Sequence, residues 1–163
     1  MRSMNYWVRA ATLTLILPIA GLPLLHAQNS AGALTTGEVP KLVVARGQTA
    51  RETLTLYVRA GFHVNSNKPN DDYLIPLRLT WEKGPLEAGE SEYPEPQLEK
   101  STFSEKPLSV YSGTFHVATL FHAPADAAPG PVTITGKLRF QACNNRECLR
   151  PGTIEIRVPV EIR

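Results

Sequence analysis

The 163-residue sequence predicts an all-β fold, and two features of its patterning support that prediction. Apolar and polar residues alternate along about seven short segments, and no segment keeps a helical period of 3.6 residues. Turn-forming residues separate the segments, since the chain contains 14 Pro and 11 Gly. About seven short strands in roughly 125 residues predict an immunoglobulin-like antiparallel β-sandwich.

Each predicted strand has apolar residues at every second position, as expected for a sheet with one face buried. In chain order these residues are Leu42 and Val44; Leu54, Leu56 and Val58; Leu77, Leu79 and Trp81; Phe115 and Val117; Val132, Ile134, Leu138 and Phe140; and Ile154, Ile156, Val158, Val160 and Ile162. We expect eight residues from these strands to be mostly buried between two sheets: Leu56, Leu79, Trp81, Val117, Leu138, Phe140, Ile156 and Val158.

Two connections lack this alternation. Residues 65–75 are polar and rich in turn formers, and residues 83–108 are rich in Pro and Glu and contain the isolated aromatic residue Phe103. Long connections in a compact domain are often functional. The glutamates of the second connection are expected to form a solvated surface rather than a pair of catalytic carboxylates.

The N-terminus predicts export. Residues 1–27 combine Arg2 and Arg9 with an uncharged apolar run and end on the small residue Ala27, which is typical of a secretory signal peptide. An uncleaved N-terminal anchor is the alternative. We expect residues 28–39 to be a flexible lead-in and residues 40–163 to form one domain in the periplasm, where disulfides persist.

Charge and motif content exclude several functions. Two of the 17 Lys and Arg residues lie in the predicted signal peptide, so the remainder balances the 15 acidic residues. A neutral domain has no general attraction for nucleic acid or for an anionic membrane surface. The sequence also lacks a nucleophile elbow, a zinc-protease motif and a phosphate loop, and no cofactor is predicted.

Cys143 and Cys148 are the only cysteines, and they flank four residues at the predicted tip of a hairpin. We expect them to form a disulfide, with their Cα atoms within about 7 Å. A structural disulfide closing so small a ring contributes only about 2 kcal/mol, and a redox-active pair is the competing interpretation. A metal site is less favoured, because His63, His116 and His122 do not cluster with the cysteines in sequence.

The segment around the cysteines resembles a known family. It reads Phe140-Gln141-Ala142-Cys143, four residues, Cys148 and then Pro151; Gly61-Phe62-His63-Val64, Phe103 and Val110-Tyr111 are supporting matches. Over residues 50–162 the chain resembles the N-terminal periplasmic domain of the thiol:disulfide interchange protein DsbD, also called the disulfide bond corrector domain. The four-residue insert is often one residue longer in that family, and Leu149-Arg150-Pro151 replaces a frequent Tyr-Pro-Pro.

The resemblance implies an immunoglobulin-like sandwich whose cysteine pair cycles between disulfide and dithiol. It implies that Cys148 forms mixed disulfides, that Cys143 resolves them, and that Phe103 shields the pair from a cap loop. His63, Asn65 and Gln141 then occupy supporting positions beside the cysteines. His63 and Asn65 stand where aromatic residues are usual in the family.

The same resemblance implies partners. A membrane electron-transfer protein or a thioredoxin-like domain would reduce the pair, and periplasmic oxidoreductases or cytochrome c maturation factors would accept the electrons. We expect these partners to be separate proteins. The alternatives are a non-enzymatic periplasmic binding module with a structural disulfide, which would use the 83–108 connection as its contact surface, and, less favoured, a metal chaperone.

Overall fold

The computed structural model describes residues 30, 32–102 and 104–163. The predicted signal peptide over residues 1–27 and the side chain of Phe103 lie outside the described residues. Within the described part of the chain, no helix is long and apolar enough to cross a membrane.

The fold is all-β, as predicted. The described residues form strands β1 (Leu34–Thr36), β2 (Leu42–Val44), β3 (Thr49–Val58), β4 (His63–Asn65), β5 (Arg78–Trp81), β6 (Glu87–Glu92), β7 (Gln97–Glu99), β8 (Leu108–Tyr111), β9 (Thr114–His122), β10 (Gly130–Phe140), β11 (Ala142–Cys143) and β12 (Gly152–Ile162). The six segments whose alternation was described above correspond to β2, β3, β5, β9, β10 and β12.

These strands form three four-stranded sheets, with the orders β1-β3-β9-β6, β2-β12-β10-β5 and β11-β4-β8-β7. We call the first two the large sheets and the third the small sheet. The pairings between these strands are antiparallel except that of β2 with β12, which is parallel. The β10–β12 ladder runs from Gly130 opposite Ile162 to Phe140 opposite Gly152, directly before the cysteine segment.

The two large sheets share one hydrophobic cluster, which confirms the sandwich. Seven of the eight predicted core residues are buried, and Trp81 is only half-buried. Trp81 lies on β5, the last strand of its sheet, and its ring covers Gly136 on the neighbouring strand, where an added Cβ would lie 2.6 Å from the ring. The indole packs edge-on against Phe121 of the opposite sheet and donates a hydrogen bond to the Thr119 hydroxyl, so its partial exposure follows from this edge position.

Two predictions about connecting segments are wrong. The described part of the lead-in predicted over residues 28–39 belongs to the fold, because β1 pairs with β3 and Ala33 and Leu34 are buried. The 83–108 connection contains β6 and β7, and β6 pairs with β9 across an irregularity between Ala88 and Ser91. Both strands occupy the end of a sheet and are mostly exposed, so their sequences do not show the alternation of a half-buried strand.

Candidate functional site

Cys143 and Cys148 form a disulfide across a two-stranded tip, with their Cα atoms 3.9 Å apart. Leu149 N–H donates to the Ala142 carbonyl on one side of the pair, and Asn144 N–H donates to the Glu147 carbonyl on the other. The cysteines therefore occupy a non-hydrogen-bonded position of an antiparallel pair, where opposite Cα atoms approach most closely. The predicted proximity of the two cysteines is confirmed.

The four residues between the cysteines form a turn organised by Asn144. Its Oδ1 atom accepts hydrogen bonds from the backbone N–H groups of Arg146 at 2.8 Å and Glu147 at 3.0 Å. An Asn side chain that bonds the backbone two or three residues later is a common way to stabilise a tight turn. The side chains of Asn145, Arg146 and Glu147 are exposed on this turn.

Ser30 joins the two arms of the cysteine hairpin at its base. Its hydroxyl donates to the Arg150 carbonyl at 2.6 Å and accepts from the Ala142 N–H at 3.1 Å. The Ser30 N–H also donates to the Arg150 carbonyl, and the residue is fully buried. The segment before β1 therefore fixes the spacing of the strands that carry the two cysteines.

The small sheet places the site residues on one face. Cys143 lies directly opposite His63, Asn65 opposite Val110, and Leu108 opposite Glu99. Because side chains alternate along a strand, these residues share one face of the sheet. The intervening Val64, Tyr111 and Ala142 belong to the main hydrophobic cluster of the sandwich. The site is thus the outer face of a sheet whose inner face is anchored in the core.

The two sulfur-bearing residues differ in burial. Cys143 is 0% exposed, whereas Cys148 is partly exposed. Cys148 packs against a small apolar cluster formed by Leu74, Leu108 and Val110, which is separate from the main core. Cys148 is therefore the more solvent-accessible residue of the pair.

Asn65 and Gln141 connect three segments around the disulfide. The Asn65 Nδ2 atom donates to the Ile75 carbonyl at 3.0 Å and to Gln141 Oε1 at 3.1 Å. Gln141 Oε1 also accepts from the Ile75 N–H, and Gln141 Nε2 donates to the Leu149 carbonyl. The amide pair thus joins β4, the 65–75 connection and the segment that follows Cys148.

His63 is buried beside the disulfide. Its Nδ1 atom lies 3.4 Å from a carboxylate oxygen of Glu99, while its Nε2 atom is buried and has no hydrogen-bond partner among the described residues. Burial lowers the pKa of His63, and the nearby Glu99 carboxylate opposes this effect without reversing it. The imidazole is therefore neutral at physiological pH.

The loop that follows β7 contacts the cysteine hairpin. The Thr102 hydroxyl donates to the Asn145 carbonyl at the hairpin tip, at 2.7 Å. Further along the loop, the Asn70 amide donates to the Pro107 carbonyl, and Lys106 lies 3.4 Å from the Asp71 carboxylate. The residues around position 103 are therefore attached both to the hairpin tip and to the 65–75 connection.

Sequence reasoning missed several residues that position this site. Ser30 was assigned to a flexible segment, and Glu99 and Thr102 were assigned to an irregular connection. Asn144 lies in the polar insert between the cysteines. An Asn at the start of a short turn is a recognisable sequence signal, because its side chain can accept hydrogen bonds from backbone N–H groups two or three residues later. Ser30, Thr102 and Glu99 make long-range contacts for which the sequence shows no local signal.

Candidate metal ligands do not come together in the described part of the chain. No group of three or more His, Cys, Asp or Glu residues is arranged to hold a metal ion there. His116 and His122 lie on β9, each within 3.4 Å of a Thr hydroxyl on β3, and not at the disulfide. Of the three histidines considered from sequence, the structure brings only His63 to the cysteines.

The fold and site together define an immunoglobulin-like β-sandwich whose small sheet carries a disulfide with one buried and one partly exposed cysteine. The family described as thiol:disulfide interchange protein DsbD, N-terminal, matches residues 31–159. The chain belongs to this family. No curated protein matches the chain by sequence.

One solved structure supports the fold. The N-terminal periplasmic domain of ScsB from Proteus mirabilis is similar with a TM-score of 0.50 and 9% identity; the match covers 78% of this chain and 44% of that one. The chain therefore spans less than half the length of that relative. AggA, the major subunit of aggregative adherence fimbriae type I from Escherichia coli, matches at a TM-score of 0.37 and 10% identity, covering 80% and 93% of the two chains.

Proposed function

We propose that this chain is a periplasmic thiol–disulfide exchange domain that passes reducing equivalents between protein partners through Cys143 and Cys148. Family membership supports the class of reaction. The observation that supports the assignment of roles is the unequal burial of the two cysteines, because a thiolate must reach a sulfur along the S–S axis to attack it. Cys148 is the more accessible residue of the two, so we assign it the attacked sulfur.

The proposed reduction proceeds in two exchanges. A partner thiolate attacks Cys148 Sγ, the S–S bond breaks, and Cys143 leaves as a thiolate that takes up a proton. A second partner thiolate then attacks the partner sulfur of the mixed disulfide, which releases Cys148 as a thiol and leaves the partner oxidised. In the donating direction Cys148 attacks an acceptor disulfide, and Cys143 attacks Cys148 Sγ to restore the internal bond and release the reduced acceptor.

The loop from Ser101 to Lys106 is proposed as a cap, with Phe103 shielding the pair as the resemblance implied. Support comes from the neighbouring Thr102, which bonds the hairpin tip. The contacts of this loop with the 65–75 connection involve exposed groups, so a docking partner can displace them at low cost.

The proposed partners follow from the family. A membrane electron-transfer protein or a thioredoxin-like domain would supply electrons, and periplasmic oxidoreductases or cytochrome c maturation factors would receive them. Export by the predicted signal peptide over residues 1–27 would bring the domain to that compartment. The opposing candidate, a binding module with a structural disulfide, requires that the pair never exchange with partner thiols.

Single-cysteine variants test the proposal. Cys143→Ala leaves the accessible thiol, and Cys148→Ala leaves the buried one. Each variant is first converted to its thionitrobenzoate mixed disulfide under mild denaturation, refolded, and mixed with a reduced thioredoxin-like domain that has lost its resolving cysteine. We expect a protein–protein mixed disulfide to accumulate at least tenfold faster with Cys143→Ala. Equal rates would overturn the assignment of Cys148, and no adduct with either variant would favour the binding module.

A further inference from the structure

An amide oxygen faces the buried sulfur of the disulfide. Asn65 Oδ1 lies 3.9 Å from Cys143 Sγ, and both residues are fully buried. A disulfide sulfur has no hydrogen, so in the oxidised protein this contact joins two acceptors. Among the described residues, no other donor reaches Asn65 Oδ1, which leaves a buried oxygen without a hydrogen bond.

The hydrogen bonds of Asn65 fix the orientation of its amide. Its Nδ2 atom already donates to the Ile75 carbonyl and to Gln141 Oε1. A flipped amide would place Oδ1 against these two acceptors. Gln141 cannot flip in compensation, because its Nε2 donates to the Leu149 carbonyl and its Oε1 accepts from the Ile75 N–H. The Asn65 oxygen is therefore held towards Cys143.

We propose that Asn65 stabilises the dithiol form of the pair by accepting a hydrogen bond from the thiol of Cys143. Reduction by a partner dithiol breaks the S–S bond, places one proton on each sulfur and leaves the partner as a disulfide. The new Cys143 S–H is free to rotate towards Oδ1, so the oxygen that lacks a donor in the oxidised state gains one in the reduced state. Buried acceptors gain most from such a bond.

This inference deepens the proposed function, on which its biological meaning rests, and it explains a division of labour between the cysteines. A thiol that donates a hydrogen bond is stabilised relative to its thiolate. Asn65 thus keeps the buried Cys143 protonated, and the partly exposed Cys148 is left as the first nucleophile. The proton leaves Cys143 only when it attacks the mixed disulfide to resolve it.

The test is the equilibrium between the pair and a dithiothreitol or glutathione buffer, measured by thiol alkylation and mass. We expect Asn65→Ala to shift the exchange equilibrium towards the disulfide by about three- to tenfold, the range of a net hydrogen bond. For a two-electron couple, tenfold corresponds to about 30 mV. The matched control is Ser66→Ala, directly after β4, which removes the buried hydrogen bond between the Ser66 and Ser109 hydroxyls and the bond from the Lys68 N–H to the Ser66 hydroxyl. It should leave the equilibrium unchanged.

A structural role for Asn65 predicts a different pattern. In that case Asn65→Ala would destabilise the oxidised and the reduced protein equally. Denaturant unfolding of the two forms would then show the same loss of unfolding free energy, and the exchange equilibrium would not move. That result, or a shift towards the dithiol, would overturn the inference. Asn65→Val, whose β-branched side chain suits a strand and carries no acceptor, serves as the second variant if Asn65→Ala does not fold.

Failure of the proposed function would look different again. The inference concerns the difference between the variant and the unsubstituted protein in small-thiol buffer, which needs no protein partner. A pair that shows the Asn65 shift but forms no adduct with thioredoxin-like domains would retain the inference and contradict the proposed function.

Discussion

The large sheets bury one face of each long strand, whereas β4, β8 and β11 of the small sheet are buried on both faces. In the large sheets, apolar side chains fill the sandwich and polar ones meet water. In the small sheet, the inner face joins the core and the outer face holds a disulfide, two amides and an imidazole. The large sheets thus supply most of the hydrophobic core, and under the proposed function the outer face of the small sheet supplies the exchange chemistry.

Substitutions in the two regions should affect different properties of the protein. Substitutions in the large sheets should change the free energy of unfolding and leave the exchange chemistry unaltered. Substitutions on the outer face of the small sheet should change exchange at a smaller cost in stability.

Leu138→Ala should have the largest effect on folding. Leu138 is fully buried on β10 in the main cluster, and removing a buried Leu side chain costs about 2–5 kcal/mol. Urea unfolding of the oxidised protein measures the loss. An altered exchange equilibrium at constant fold would contradict the separation of the two regions.

Ser30→Ala should cost about 1–3 kcal/mol, because it leaves the Ala142 N–H without its acceptor in a buried position. Ser30 ties the two arms of the cysteine hairpin, so hydrogen exchange of the Ala142 and Leu149 amides should quicken more than exchange in β10. Uniform acceleration across both regions would show that Ser30 supports the whole fold and not the hairpin.

Phe103→Ala should speed reduction of the pair by dithiothreitol by on the order of tenfold if an apolar ring shields it, since a burial free energy of about 1.5–3 kcal/mol is at stake. Thr102→Val, which removes the bond to the Asn145 carbonyl, should act in the same direction and less strongly. The unfolding free energy should fall in both variants by no more than this burial free energy, because neither substitution changes the main core. An unchanged reduction rate would remove the cap from the account.

His63→Phe should weaken the dependence of the unfolding free energy on pH on the acid side of neutrality. Burial lowers the pKa of His63 in the folded protein, so below about pH 6.5 the unfolded chain binds a proton that the folded chain does not. This contribution to stability is present at neutral pH and is lost as the pH falls. Unfolding free energies between pH 7 and 5 should fall less steeply in the variant.

Glu52→Gln, in the large sheets, should also change how the unfolding free energy depends on pH, but with the opposite sign. Glu52 is buried on β3 with an unpaired carboxylate oxygen, and burial raises its pKa. Above the ordinary carboxyl pKa of about 4.3, the unfolded chain ionises first, so stability declines as the pH rises towards the folded-state pKa. The variant should lack this decline, and it should leave dithiothreitol reduction unchanged.

The alternating strands of the large sheets could be predicted from the sequence because a half-buried strand imposes a period of two. Residues such as Leu56, Leu138 and Val158 were therefore placed correctly. The small sheet could not be predicted in the same way, because β4 and β8 are buried on both faces and show no alternation. Trp81 was placed too deeply, since its position on an end strand depends on the topology.

The sequence predicted those parts of the candidate site that lie at the cysteine pair or at positions of the family motif. The Cys143–Cys148 pair follows from spacing and compartment, and His63, Asn65 and Gln141 follow from the resemblance. Ser30, Thr102 and Glu99 reach the site through contacts between residues far apart in the chain, which no local pattern records.

The reduction potential of the Cys143–Cys148 pair tests the central claim most directly. It is measured on the folded protein in glutathione or dithiothreitol buffers, with the fraction of disulfide followed by alkylation. A pair that exchanges electrons with partner proteins should have a potential above about −270 mV, within the range of thiol-exchange proteins. A potential well below about −300 mV would identify a structural disulfide and contradict the account.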